Sequence, residues 1–160
     1  MIDNKIKGKK GVILLLQKYI TEKTFLTDVE CNNWEEVVQA AADLLIKDGA
    51  IEPEYVDAVK DAIHEFGSYM VLLDDIAFFH GRPCSAVHRL AMGLVTLKSP
   101  VYLLEKRIKA AFLFAAVDNN SHMELLQEFG EALQDEMFLK LLRENGTKEE
   151  ILNKINEGGM

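Results

Sequence analysis

Between Ile108 and Val117 the chain is apolar at every position except Lys109. A strand with one wet face alternates polar and apolar side chains, whereas an unbroken apolar run of this length fits a strand covered on both faces. The run therefore predicts a central strand, and the remaining sequence has to supply a layer of helices on each side of it.

Those layers are readable. Asn33-Trp34-Glu35-Glu36 opens a helix with Asn33 as N-cap, and Trp34, Val37, Val38, Ala41, Leu44 and Leu45 keep helical spacing until Gly49. Pro53 suits the first turn of a second helix, whose stripe of Val56, Val59, Ile63 and Phe66 ends at Gly67. From there the pattern shortens to Met70–Leu73, Ile76–Phe79 and Ala91–Leu97, apolar runs that read as strands. Ser121 can cap a helix through Met123, Leu126, Phe129 and Leu133; Phe138–Leu142 suggests another, and Thr147-Lys148-Glu149-Glu150 has the spacing of a capping box. The residues before Asn33 read as a helix-rich start. This order predicts an α/β chain, a mixed sheet between helical layers. No repeat or linker divides residues 1–160, so one domain is expected, with residues 1–11 as an N-terminal extension.

Eighteen basic against 26 acidic residues leave a charge of −8, which argues against a general nucleic-acid binder. Six lysines among residues 1–24 make that stretch +4 and the rest −12. Such an acidic surface is either a solvated face or a means of steering toward a basic partner protein. The apolar run Val12–Leu16 is far below the roughly 20 residues of a membrane span. Although Lys5, Lys7, Lys9 and Lys10 precede it, no cleavage signal follows, so a cytoplasmic protein with no membrane insertion is expected. Cys31 and Cys84 form no CxxC pair and are expected to be reduced thiols.

Phosphate loops of the GxGxxG or GxxxxGKS type and the GxSxG elbow are absent, which leaves ATP-dependent kinase and serine hydrolase chemistry without support. Cys84 and Arg89 are one residue too close for a cysteine phosphatase loop. The densest chemistry lies in Phe78-Phe79-His80-Gly81-Arg82-Pro83-Cys84-Ser85-Ala86-Val87-His88-Arg89. His80 leaves a buried strand beside Gly81, a small residue that lets another molecule approach closely. A neutral imidazole there is a nucleophile able to carry a covalent group, and Arg82 can balance phosphoryl charge. On spacing alone His80 is equally an ordinary loop histidine. A metal reading would use His80, Cys84 and His88, four residues apart, but Pro83 interrupts the helix that spacing needs and no fourth ligand is evident. His64 reads as a helix-surface residue. His122 falls after the buried strand, in the first turn of the helix capped by Ser121, where strand ends and helix-start amides favour anionic ligands. It can equally be one more exposed residue.

Ile76-Ala77-Phe78-Phe79-His80-Gly81-Arg82-Pro83 resembles the phosphorylation motif of IIA components of the mannitol–fructose superfamily of the phosphotransferase system, typically I-A-hydrophobic-P-H-A/G. Gly67-Ser68-Tyr69 before it and Leu90–Pro100 after it are most similar to the ascorbate-type branch. Ala115-Ala116-Val117-Asp118-Asn119-Asn120-Ser121-His122 resembles the family's second histidine motif, so the likeness runs from about Trp34 to the last helix. The resemblance implies a three-layer α/β/α sandwich and a cytoplasmic protein that takes a phosphoryl group from phospho-HPr onto the remote nitrogen of His80 and passes it to a IIB cysteine. His122 would support the reaction, with Arg82 and Ser121 as candidate phosphoryl-binding residues. No cofactor, nucleotide or metal is implied, and homo-oligomerisation is left open. Two departures stand out. Phe79 replaces the motif's proline, and Asp74-Asp75 stands where the branch has a small turn, carboxylates that would stabilise imidazolium if near His80. They motivate an alternative, a IIA-like regulatory binding domain without efficient phosphoryl transfer.

Overall fold

The computed structural model describes residues 15–120 and 122–157. The expected extension at residues 1–11 and the candidate ligand Ser121 lie outside the described residues. A helical turn at 15–19 precedes β1 (Phe25–Val29), α1 (Trp34–Lys47) and α2 (Tyr55–Phe66). A 3-10 turn (Gly67–Met70) leads to β2 (Val71–Leu73), β3 (Asp75–His80), β4 (Ala91–Leu103) and β5 (Lys106–Ala115). Three helices close the fold, α3 (Met123–Ala132), α4 (Glu136–Arg143) and α5 (Lys148–Asn156).

The sheet order is β1-β4-β5-β3-β2, so the apolar run does occupy the middle. β4 runs parallel to β1 and antiparallel to β5, while β3 runs parallel to β5 and antiparallel to β2. Because successive strand residues face opposite ways, β5 feeds two cores. Ala111, Leu113 and Ala115 join Ala77 and Phe79 under α1 and α2. Ala110, Phe112 and Phe114 join Ile76 and Phe78 under α3, α4 and α5. The result is the three-layer α/β/α sandwich that the resemblance implied. Each of the fully buried side chains Phe79 and Phe112 stabilises it by about 1.5–3 kcal/mol through removal of apolar surface from water.

Local chemistry accounts for the helix ends. Asn33 Oδ1 accepts from the Glu36 amide at 2.9 Å, and α1 stops before Gly49, whose φ of +79° suits glycine. Thr147 and Glu150 form the expected capping box, their reciprocal bonds measuring 3.1 and 2.9 Å.

Three expectations need correction. The chain before Asn33 is not purely helical, because Phe25–Val29 forms edge strand β1. β4 runs to Leu103 instead of ending at Leu97, since Pro100 lies in an arch where pairing jumps from Thr96↔Ala110 to Val101↔Ile108 and owes no ladder bond. Lys109 is the single residue opposite that arch, and its Nζ donates to the Leu97 carbonyl and to Asn145 Oδ1, which explains a buried lysine in an apolar run. Finally, α3 begins at Met123 with His122 at the N-cap position, one place before the first turn, and without a side-chain cap.

Candidate functional site

His80 is the last residue of β3 and is half-buried. Its Nδ1 lies 3.2 Å from the Phe78 carbonyl, an acceptor only, so the geometry selects the tautomer with the proton on Nδ1. Among the described residues Nε2 has no hydrogen-bond partner. Burial pushes the imidazole below its ordinary pKa, against the raising influence of the Phe78 carbonyl, and so favours the neutral ring. The ring packs at a tilt against Phe78, with centroids 5.0 Å apart, and lines a hollow of about 230 Å³ with Phe66, Tyr69 and Met70. Tyr69 is 83% exposed, so the approach to the histidine is apolar and open.

Proximity to His80 is organised by a residue that sequence reasoning missed. Tyr55, at the start of α2 and 1% exposed, accepts from the Gly81 amide at 3.0 Å and donates to the Phe114 carbonyl at 2.8 Å. Burial raises its phenol to about 12, so it remains a neutral donor across the physiological range. Gly81 was expected to admit another molecule; its close neighbour is the protein's own helix. A Cβ there would stand 2.8 Å from the Ala58 carbonyl carbon and 2.9 Å from the Val59 nitrogen. The only sequence signal for Tyr55 was a polar-tipped aromatic at a buried helix position, and its partners lie 26 and 59 residues away.

The other candidates are distributed around this point. Arg82 is directed to α2, where its Nη2 meets Glu65 at 3.1 Å and it lines a separate hollow with Ala58, Asp61 and Ala62. His122 is linked to His80 through rings: His80 on Phe78, Phe78 on Phe114 at 5.6 Å, and Phe114, the register partner of His80, edge-on to His122 at 5.5 Å. Its Nδ1 is buried with no hydrogen-bond partner among the described residues. His88 pairs with Glu52 at 2.5 Å and His64 packs edge-on against Trp34. His80, Cys84 and His88 are not brought together, and no group of three metal-capable side chains exists among the described residues. Both cysteines are free thiols, Cys84 exposed and Cys31 half-buried.

The two departures from the motif have structural employment. Phe79 is fully buried beneath α1 and α2, and its register with Leu113 carries β3 onward to pair His80 with Phe114. Asp75 stands at the opposite end of β3, about 16 Å of strand from His80. There Arg107 donates to it at 2.7 and 2.9 Å and holds its carboxyl below the usual range. The Asp74 carbonyl accepts from Arg143. These carboxylates therefore lie too far along the strand to stabilise the His80 imidazolium, and Phe79 serves as a core residue.

Residues 18–158 match the family described as "Phosphoenolpyruvate-dependent sugar phosphotransferase system, EIIA 2". The ascorbate-specific PTS system EIIA component of Salmonella choleraesuis (strain SC-B67) is 34% identical over 131 residues, covering 79% of this chain and 85% of that protein. Among solved structures, the mannitol-specific cryptic phosphotransferase enzyme IIA CmtB of Escherichia coli superposes with a TM-score of 0.79 at 25% identity, over 89% of this chain and 98% of that one. The IIA of Escherichia coli in the complex of enzyme IIAMTL with phosphorylated enzyme IIBMTL shares the fold, with a TM-score of 0.73 at 22% identity over 86% and 96% of the two chains. This chain belongs to the EIIA 2 family of sugar phosphotransferase components. Among the described residues no helix is long and apolar enough to cross a membrane.

Proposed function

We propose that the protein is a cytoplasmic IIA relay for an ascorbate-type substrate, taking a phosphoryl group from phospho-HPr onto His80 Nε2 and passing it to a IIB cysteine. The observation that carries this reading is the pose of His80, with Nδ1 engaged by the Phe78 carbonyl, Nε2 without a hydrogen-bond partner among the described residues, and the ring lining a surface hollow. The Nε2 lone pair forms the new P–N bond while the donor's P–N bond breaks and its electron pair returns to the donor imidazole. Nδ1–H stays on the Phe78 carbonyl, so the product is a phosphoimidazolium from which the group departs readily. In the second step a thiolate attacks phosphorus and the P–N electron pair returns to His80. Positioning is most of the work, since little covalent assistance is needed.

Supporting roles follow the local chemistry. His122 Nδ1 is an unpaired polar atom beside Phe114 and is assigned to support the phosphoryl group, with Ser121 beside it in sequence. Arg82 can serve as counter-charge by leaving Glu65; that pair is exposed on both sides and is worth at most about 1 kcal/mol, less than a phosphoryl dianion offers an arginine. The ascorbate assignment rests on the curated relative, and the IIB partner on the complex formed by the mannitol enzyme.

Incubation with phosphorylated HPr tests the proposal. Wild type should acquire an acid-labile label that a IIB protein then removes, and His80→Gln should acquire none. Equal labelling of both would eliminate His80.

A further inference from the structure

We propose that Tyr55 is a positioning residue for transfer at His80: its buried hydroxyl joins the peptide that follows the histidine to the end of the central strand, and so holds the imidazole with Nδ1 on the Phe78 carbonyl and Nε2 open. This inference rests on the reading of His80 as acceptor and adds a residue outside the motif.

The need for such a clamp comes from the sheet. β2 pairs with β3 only at Ile76 and Ala77, so beyond Ala77 the strand has β5 on one side and no strand on the other. His80 is the last paired residue, and Pro83 follows three places later with no amide to continue a ladder. A strand end supported on one side frays, and fraying here would free the His80 backbone on which the ring pose depends.

α2 supplies the missing support. The Tyr55 phenol has one hydrogen, which goes to the Phe114 carbonyl at 2.8 Å; its oxygen accepts from Gly81 at 3.0 Å, and the Gly81 carbonyl at 3.4 Å is a weaker neighbour. Phe114 is the register partner of His80, and Gly81 is the next residue after it. One hydroxyl thus ties the two strands together immediately beyond the histidine. Gly81 makes the attachment close, since its missing side chain lets the peptide lie against the backbone of Ala58 and Val59.

The rest of the connection to β4 is held independently. Glu52 donates its amide to the Ala86 carbonyl and His88 donates its amide to the Ala50 carbonyl, both at 2.8 Å, and the His88 ring meets Glu52. These contacts fasten residues 86–88 but touch neither Gly81 nor Phe114. Loss of the hydroxyl should therefore be felt at His80 while the outer strap persists.

The test compares wild type, Tyr55→Phe and the strap variant His88→Asn by two measurements. Nitrogen-15 spectra of the histidine ring report the His80 tautomer without any partner protein. Single-turnover labelling by phospho-HPr gives the transfer rate per folded molecule and its dependence on donor concentration. Tyr55→Phe should convert the single Nδ1–H tautomer to a mixture and slow transfer between about 10- and 100-fold, the scale of a misplaced reacting group, at unchanged half-saturating donor. His88→Asn should lower the melting temperature and leave tautomer and rate alone. A Tyr55→Phe protein that melts earlier yet keeps the wild-type tautomer and rate overturns the inference. If Tyr55→Phe does not fold, 3,5-difluorotyrosine at position 55 preserves the shape and alters the strength of both bonds; it should move the His80 nitrogen shifts, and unmoved shifts overturn the inference. Failure of wild type to accept the label would defeat the acceptor reading instead, while the tautomer measurement would still judge Tyr55.

Discussion

The two ends of β3 are separated by four residues and treat polarity in opposite ways. At the Asp75 end strong groups are paired: Arg107 grips Asp75 through two hydrogen bonds, Arg143 donates to the Asp74 carbonyl, and Lys109 donates to the Leu97 carbonyl and Asn145 Oδ1. At the His80 end the backbone is matched by Tyr55, but His80 Nε2 and His122 Nδ1 have no hydrogen-bond partner among the described residues. A buried polar atom such as His122 Nδ1 is normally satisfied, and one that is not marks a place where the chain forgoes stability for another purpose. The contrast assigns charge-based anchoring to one end of the sheet and reactivity to the other.

Gly81→Ala should strike the reactive end hardest. The new Cβ would have to displace backbone of α2 at 2.8–3.0 Å, with no flexible side chain to give way. Overpacking of this kind costs about 1–3 kcal/mol. Chemical denaturation should show a loss near the top of that range together with reduced labelling of the folded fraction. A variant with unchanged stability would mean that the Gly81 loop can retreat from α2 freely.

Lys109→Met probes the anchored end. It keeps the apolar stem but leaves the Leu97 carbonyl and Asn145 Oδ1 without their donor, which should cost about 1–3 kcal/mol. Labelling per folded molecule should equal that of wild type. If transfer falls while stability holds, the two ends of the sheet are coupled and the contrast between them fails.

How much of this was legible in the sequence depended on the range of the signals. β5, the Asn33 cap and the Thr147–Glu150 box declare themselves within a few residues; both caps stand where their patterns placed them, and the strand read at Ile108–Val117 runs two residues earlier, from Lys106 to Ala115. β1 did not, because Phe25-Leu26-Thr27-Asp28-Val29 is a short edge strand buried fully only at Phe25 and distorted at Asp28, whose φ is +55°. Such a segment looks like a loop until β4 lies beside it. His80 could be singled out because a motif and a strand end coincide there. Tyr55 could not, since its role exists only where the first turn of α2 meets the ends of two strands. Asp74 and Asp75 misled for the opposite reason: closeness in sequence suggested closeness in space, and an extended strand converts five residues into the length of the sheet.

The smallest effect belongs to Asp75→Asn, and it decides whether that separation is real. The pair with Arg107 is largely exposed on the arginine side, so its loss should cost below about 1 kcal/mol. Its value lies in the pH profile of labelling. Burial lowers the His80 pKa, so the ring should remain a competent nucleophile down through its ordinary value of 6.5, and the rate should fall only at lower pH. The same shift means that the unfolded chain binds more protons than the folded one just below 6.5, so stability also declines as pH drops through that window. A carboxylate beside the ring would oppose burial by favouring imidazolium, and its removal would move the midpoint further down. With Asp75 at the far end of β3, Asp75→Asn should leave the midpoint where wild type has it. A midpoint displaced toward acid in this variant would place the carboxylate within electrostatic reach of His80 and undo the division between the two ends.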